Sequence, residues 1–515
     1  MSFYPSLSYV QNSYQKYSMI PICYKIWSDQ MTPIRLFQRL RGEHSFLLES
    51  IEGGEKWARY SFIGNDPDFI FTVKQGKAVL THFYPERKVE EVDGEPLAIL
   101  KQLLKTYQVP QLDGVPRFSG GAVGFIGYDA IQLVESLPEH VIQDGFTDDI
   151  RLLFCSEVIA FDHLQQEIIF ISHLQLQDPL SSEQVTQHYH RACQRLLEKI
   201  NSVLKQDEAE TLDFFQLPQH KSEVDWSQVQ SNMGKEDYLR AIDQIKEYIR
   251  AGDVFQTVFS QRFAVELKTD PFNVYRVLRT VNPSPYLYYL DLGDDMILVG
   301  SSPERLVQVE GRRIETNPIA GTRKRGRTME EDQQLEKELL QDEKERAEHH
   351  MLVDLGRNDV GKVAKYGTVS LPKLMEIDRF SHVMHIVSTV EGELREDVDA
   401  VDALFSCFPA GTVSGAPKIR AMEIIAELEQ YARKAYAGAI GYFSYTGNLD
   451  HCIAIRTMVV KEGIAYVQAG GGIVADSVPE LEWEETRSKA SAMLVAIQLA
   501  EQLFEQKKQE VRSYA

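Results

Sequence analysis

The sequence predicts an α+β fold: large antiparallel sheets flanked by helices. Three observations predict it. Short runs that alternate apolar and polar residues recur early in the chain, as in Phe69–Val73 and Ala78–Phe83, and period two is the mark of half-buried strands. Lys235–Arg250 is strongly periodic, with Tyr238, Leu239, Ile242, Ile245 and Ile249 on one helical face. After it, strand-like and helical stretches mix without the regular alternation that a parallel sheet with crossover helices requires. The polar, acidic, proline-interrupted stretch 205–226 is the expected boundary between an N-terminal domain, 1–210, and a C-terminal domain, 227–515.

Other elements follow in chain order. Gly120–Gly124 (G-G-A-V-G) has glycines like a phosphate loop but no following lysine, so it is expected to serve close packing. Pro318–Gly326 (P-I-A-G-T-R-K-R-G) holds two glycines and four side chains able to donate to an anion, three of them charged. It suits a strand end or loop that brings backbone N–H groups to a carboxylate. Glu330–Glu348 reads as one charged helix, solvated along most of its length. Near the C-terminus, Cys452–Val460 and Ile464–Gln468 are strand-like and flank Glu462-Gly463, a two-residue hairpin signal. That register sets Lys461 opposite Ile464 and Arg456 opposite Ala469, beside the run Gly470, Gly471, Gly472. An arginine fork next to backbone stripped of side chains suits a carboxylate. Ser477-Val478-Pro479-Glu480 has the form of a capping box opening a helix to about Leu503. On that helix Glu485 and Lys489 lie four apart, on one face.

The chain has 515 residues and a formal net charge of −21. A nucleic-acid partner or an anionic membrane surface is therefore not expected, and an enzyme of anionic substrates must build a locally positive site. The five cysteines (Cys23, Cys155, Cys193, Cys407, Cys452) show no C-x-x-C pair, and no apolar run approaches a membrane span. The N-terminus lacks the marks of a secretory signal. A reducing cytoplasm is the expected compartment.

Glu304 in S-S-P-E-R-L, Glu348 in E-R-A-E-H, Phe408–Lys418 (F-P-A-G-T-V-S-G-A-P-K), Gln468–Gly472 and the E-T-x-x-K of Glu485–Lys489 occur in one order and at one spacing. From about Thr32 to the C-terminus the chain resembles the chorismate-utilising enzymes, and among them component I of anthranilate synthase. Lys324 stands for a common proline and Gly471 for a common alanine, neither altering a chemical group. The resemblance implies a two-lobed chorismate-binding fold. It also implies conversion of chorismate and ammonia to anthranilate and pyruvate, the first step of tryptophan synthesis. Ala320 stands where relatives that make aminodeoxychorismate often carry a nucleophilic lysine. Gln256 stands where isochorismate-forming relatives place a lysine to activate water, and an amide is no such base. Aminodeoxychorismate synthase component I remains the alternative enzyme. A catalytically inactive tryptophan-binding regulatory protein is the alternative outside catalysis.

The resemblance assigns Glu348 and Glu485 to Mg²⁺, a hard cation that often takes only one or two protein carboxylates. His349 and His350 do not suggest zinc, since adjacent helical residues point about 100° apart. By the same resemblance Arg456, Tyr436 and Gly470–Gly472 hold the enolpyruvyl carboxylate. Gly321 and Thr322 contact substrate near the metal, with Lys489 a further contact. Glu304 is the general acid and His385 the catalytic histidine. Leu48, Glu49 and Ser50 resemble one wall of a tryptophan site. Pro285, Tyr286 and Leu287 resemble the other, with Ile440 and Tyr442 as neighbours. No amidotransferase-like half follows the synthase region, so glutamine use is expected to need a separate glutamine amidotransferase subunit.

Overall fold

The computed structural model describes residues 3–50, 59–83, 86–142, 146–176, 180–205, 223–379 and 383–514. Residues 206–222 of the expected boundary lie outside them. Two twelve-stranded sheets form the molecule, and their strands pair antiparallel, as at Met19–Trp27 with Glu167–Gln175 or Gln256–Glu266 with Ile464–Ile473. Each sheet runs without a break from the N-terminal to the C-terminal part. Phe46–Glu49 pairs with Tyr286–Asp291 in the first sheet, and Gly121–Ile126 pairs with Ala439–Ser444 in the second. The glycines of the second junction serve close approach. A Cβ on Gly121 would stand 2.0 Å from the Phe443 carbonyl oxygen, and one on Gly124 2.0 Å from that of Arg151.

The sheets face each other across an apolar layer that includes Phe46, Phe62, Tyr288 and Leu298 from the first and Val123, Leu153, Ile440 and Tyr442 from the second. Burying that layer is what fixes strand register, because a one-residue slip would turn each inward side chain to the opposite face. The outer face of the first sheet is covered by helices Pro271–Val281 and Pro479–Tyr514, through Tyr275, Leu278, Met493 and Ile497. Helix Glu343–Gly361 lies on the outer face of the second, with Val353 and Val360 in its core. The periodic stretch forms the helix Lys235–Ala251, closed by Gly252 at φ 86°, a left-handed turn that glycine adopts without a Cβ clash.

Four expectations are corrected. Cys452–Val460 is not one strand: Leu449–Ile453 belongs to the second sheet and Thr457–Lys461 to the first. The intervening residues cross between them, and Arg456 sits there at φ 51°. The two-residue hairpin holds, with Lys461 opposite Ile464, but the ladder stops short of Arg456. The acidic stretch is two helices, Met329–Gln341 and Glu343–Gly361. They break at Asp342, whose carboxylate caps the second by accepting from the Lys344 and Glu345 N–H groups. Ser477 does not form the capping box. Its hydroxyl accepts from Val474 N–H, and the helix starts at Pro479, where the missing N–H costs nothing. That helix extends past Leu503, to Tyr514. Among the described residues no helix is long and apolar enough to cross a membrane.

Candidate active site

The site forms where the sheets' strand ends meet the helices Glu343–Gly361 and Pro479–Tyr514. Its first wall is the glycine run. Gly470, Gly471 and Gly472 register opposite Ser260, Phe259 and Val258, and each lacks a Cβ for a different reason. A Cβ on Gly470 would stand 2.9 Å from the Tyr436 hydroxyl, one on Gly471 2.8 Å from Glu482 Oε2, and one on Gly472 2.4 Å from Gln256 Nε2. Three functional side chains are thus seated on bare backbone.

Arg456 reaches this wall from the crossing between sheets. It donates to the Lys489 carbonyl, and its charge acts on both Tyr436 and His385. Tyr436 is buried, which pushes its hydroxyl up to about 12 and keeps it a donor. Lys489 Nζ donates to the Gly470 carbonyl at 2.9 Å and pairs with Glu485 at 2.6 Å. The two side chains on this shared helical face thus pair, and the pair is tied to the glycine wall.

Glu304 and His385, the expected acid and base, lie within reach of the Lys489 and Arg456 charges. Glu304 follows strand Ile297–Ser302, and its backbone carbonyl accepts from Ile453 N–H. Desolvation raises its carboxyl to about 7, while the Thr412 hydroxyl, donating at 2.9 Å, and the Lys489 charge pull the other way. His385 lies on strand Val383–Glu393, opposite Thr322. Gly321 makes a bulge in the adjoining strand, at φ 66°, and re-aims its carbonyl. That carbonyl lies 3.0 Å from His385 Nδ1, and the Thr322 hydroxyl 3.1 Å. A carbonyl can only accept, so Nδ1 carries the proton and Nε2 is the basic nitrogen. Burial and the Arg456 charge lower the imidazole pKa, holding the ring neutral near pH 7.

Each of the two helices carries two carboxylates one turn apart. Gln256 hydrogen-bonds Glu348, which is pushed upward by desolvation and by Glu345 one turn away. Glu482, one turn before Glu485, is pushed upward by desolvation and by Glu485, and its Oε2 is buried without a hydrogen-bond partner. Glu345, Glu482 and Thr412 were not singled out from the sequence. The first two carried a usable signal, since each lies three residues before an assigned glutamate on the same helical face. Among the described residues no three His, Cys, Asp or Glu side chains are close enough to form a ready metal cage. His349 is buried and bonds Ser388 at 2.6 Å.

A separate cavity of about 1210 Å³ lies between the sheets. Leu48, Glu49, Ser50, Pro285, Tyr286, Leu287, Ile440 and Tyr442 all line it. The Glu49 carboxylate has protein partners of its own. It is buried and accepts from Tyr275 and, at 3.1 Å, from Arg279, because strand alternation turns it toward helix Pro271–Val281. Asp450 and Glu315 also line the cavity.

The sequence of this two-sheet chain matches the model of the chorismate binding enzymes over residues 43–495, and the chain belongs to that family. Within it, the chain is 50% identical to anthranilate synthase component 1 of Acetivibrio thermocellus over 499 residues, 97% of this chain and 99% of that one. It is 44% identical to the Bacillus subtilis (strain 168) protein of that name, over 98% of each. Among solved structures, anthranilate synthase component I from Streptococcus pneumoniae TIGR4 superimposes with TM-score 0.73 at 38% identity, covering 91% of this chain and 98% of that one. The menaquinone-specific isochorismate synthase of Escherichia coli gives TM-score 0.67 at 18% identity, covering 95% and 98%, a likeness of fold alone.

Proposed function

We propose that this chain is the large subunit of an anthranilate synthase, converting chorismate and ammonia to anthranilate and pyruvate in the cytoplasm. The observation that carries this reading is the opposed tuning of Glu304 and His385 across one carboxylate cradle. Glu304 is half protonated near pH 7 and acts as acid; His385 is neutral and acts as base. Arg456, Tyr436 and the N–H groups of the glycine run hold the enolpyruvyl carboxylate. Gly321 and Thr322 line the ring side, and Lys489 adds positive charge. Ammonia adds at ring C2 as the C4 hydroxyl departs with a proton from Glu304. His385 Nε2 then takes the C2 proton, the C3–O bond breaks, and the ring becomes aromatic as pyruvate leaves. Gln256 binds Glu348 through an amide, which is no base for water, and this favours amination over hydration.

Mg²⁺ fits the donor set. Glu348 and Glu485 supply hard oxygens, and each has a second carboxylate, Glu345 or Glu482, one turn away on its own helix. Desolvation first, and then a neighbouring carboxylate, raises Glu348 and Glu482, and a divalent cation relieves the cost of holding these carboxylates charged, the unpartnered Glu482 Oε2 among them. Bound there, the ion supplies Lewis-acid polarisation of a substrate carboxylate.

With chorismate, Mg²⁺ and ammonium salts, the pure chain is expected to yield the fluorescent product anthranilate. With glutamine as sole nitrogen source it is expected to yield none, because a partner amidotransferase subunit supplies the ammonia. Absence of anthranilate with ammonium, or its formation from glutamine alone, contradicts the corresponding half of this reading.

The cavity between the sheets suits tryptophan as a feedback inhibitor, offering Leu48, Ile440 and Tyr442 as apolar and aromatic walls and Ser50 as a hydroxyl. Its walls lead to the catalytic groups. Tyr286–Asp291 pairs with the strand that runs into Glu304, and Ala439–Ser444 pairs with the strand that runs toward Arg456. Ser50→Phe is expected to relieve tryptophan inhibition while uninhibited turnover persists. Chorismate must weaken tryptophan binding by the factor with which tryptophan weakens chorismate binding, which calorimetry with and without chorismate measures. Unchanged inhibition of the variant counts against the site.

A further inference from the structure

We infer that Arg433, paired with Glu429, is a positioning residue that couples the acid Glu304 to the carboxylate cradle; this rests on the function proposed above. Both side chains are buried, 0% and 4% exposed. Arg433 Nε and one terminal nitrogen grip the Glu429 carboxylate at 2.7 and 2.6 Å. The same guanidinium donates to the Val413 carbonyl at 2.6 Å and the Val258 carbonyl at 2.7 Å. Glu429 Oε1 accepts in addition from Ser260 N–H and the Ser260 hydroxyl, both at 2.8 Å. The guanidinium also lies over the Tyr436 ring, 5.5 Å from its centre, and over Tyr128 at 4.7 Å.

Each of these partners adjoins a working group. Val413 follows Thr412, the donor to Glu304. Val258 and Ser260 lie opposite Gly472 and Gly470. Tyr436 is itself a cradle residue. One planar fork therefore fixes the turn behind the acid, the strand behind the glycines and the aromatic wall. A buried ion pair is poor evidence for stability, since apolar replacement of both partners is often neutral or stabilising. Five donors in a rigid plane are instead what simultaneous positioning of three elements needs, and Lys cannot reproduce that span.

The charged group acting on Glu304 is Lys489, from helix Pro479–Tyr514, and its hydroxyl donor is Thr412. Loosening the Val413 turn removes the Thr412 bond that holds the Glu304 pKa down, so the alkaline limb of the pH–rate profile must move upward. A residue that serves stability alone lowers the active fraction at every pH and moves no limb.

The test compares the wild-type chain with R433K, R433M/E429L and T412V, using chorismate, Mg²⁺ and ammonium. The double variant removes both charges and guards against misfolding; thermal unfolding and circular dichroism check each protein. For R433M/E429L the expected result is a fall in kcat/KM for chorismate of about 100-fold, through both kcat and KM, with cooperative unfolding retained. R433K is expected to fall short of rescue. Both are expected to raise the alkaline limb by about one pH unit, as T412V does. Adding T412V to R433M/E429L is expected to shift the limb no further. Folded variants with wild-type kcat/KM, an unmoved limb, or limb shifts that add to that of T412V overturn the inference. If the wild-type chain itself forms no anthranilate, the underlying reading fails instead.

Discussion

Glu304→Gln is expected to lower anthranilate formation by about 10²- to 10⁴-fold, the usual contribution of a general acid, and to stabilise the protein at alkaline pH. Both effects have one cause. Desolvation raises the carboxyl to about 7, well above its ordinary value in an unfolded chain. Between those two values the native state binds the extra proton. Stability therefore falls as pH climbs from about 4.5 to 7 and stays lower above it. The difference amounts to at most about 3 kcal/mol, reduced because the carboxylate is only half-buried and keeps some solvent contact. Glutamine has the same shape and never ionises. Its advantage in melting temperature over the wild type should be small at pH 5 and clear at pH 8. In the wild type, rate should fall above about pH 7, as the acid form of Glu304 is lost, and fall on the acid side as His385, with its lowered pKa, takes a proton. Equal melting-temperature differences at pH 5 and pH 8, or near-normal turnover of the variant, would remove Glu304 from its role.

How far the sequence carried varies with the physics of each feature. Local signals were legible: the helix from Lys235, the Glu462-Gly463 hairpin, and the strands at Phe69 and Ala78 depend on neighbours a few residues away. Arg456 was placed beside the glycine run by extrapolating that hairpin. The neighbourhood is right, but the ladder ends at Met458 because the chain must cross between sheets, and no local pattern marks that crossing. The positive φ of a non-glycine residue there is a strained conformation held by its surroundings. Ser477 failed as a cap because its hydroxyl closes a local turn, accepting from Val474 N–H three residues back. Glu49 is a case of strand parity. Its place in the motif was readable, but which face of the sheet it occupied followed only from pairing with Tyr286–Asp291. Arg433 and Glu429 carried an i,i+4 spacing that most often means a surface pair, and only burial between two sheets distinguishes them.

Glu348→Gln and Glu485→Gln are each expected to abolish the Mg²⁺ response and to lower kcat/KM by about 10³-fold. Metal polarisation supplies several kcal/mol, and each 1.36 kcal/mol is tenfold in rate. Glutamine keeps the volume and one oxygen, so the fold should survive. A second readout does not depend on turnover. A cation that binds only the folded protein raises its melting temperature as its concentration exceeds Kd, so the wild type should gain stability on titration with Mg²⁺ and both variants should not. In metal-free buffer the sign reverses for Glu348. Its carboxyl is raised by desolvation and by Glu345, so its charge destabilises the native state, and the glutamine variant should melt at or above the wild-type temperature at pH 8. Gln256, which bonds Glu348 and covers Gly472, can bond the new amide as well as the old carboxylate, so the local packing has no reason to collapse. A purely structural role for Glu348 predicts the opposite pair of results: a lower melting temperature without metal, and an undiminished Mg²⁺ shift. Normal Mg²⁺-dependent turnover in both variants would remove Glu348 and Glu485 from the metal-binding role proposed for them.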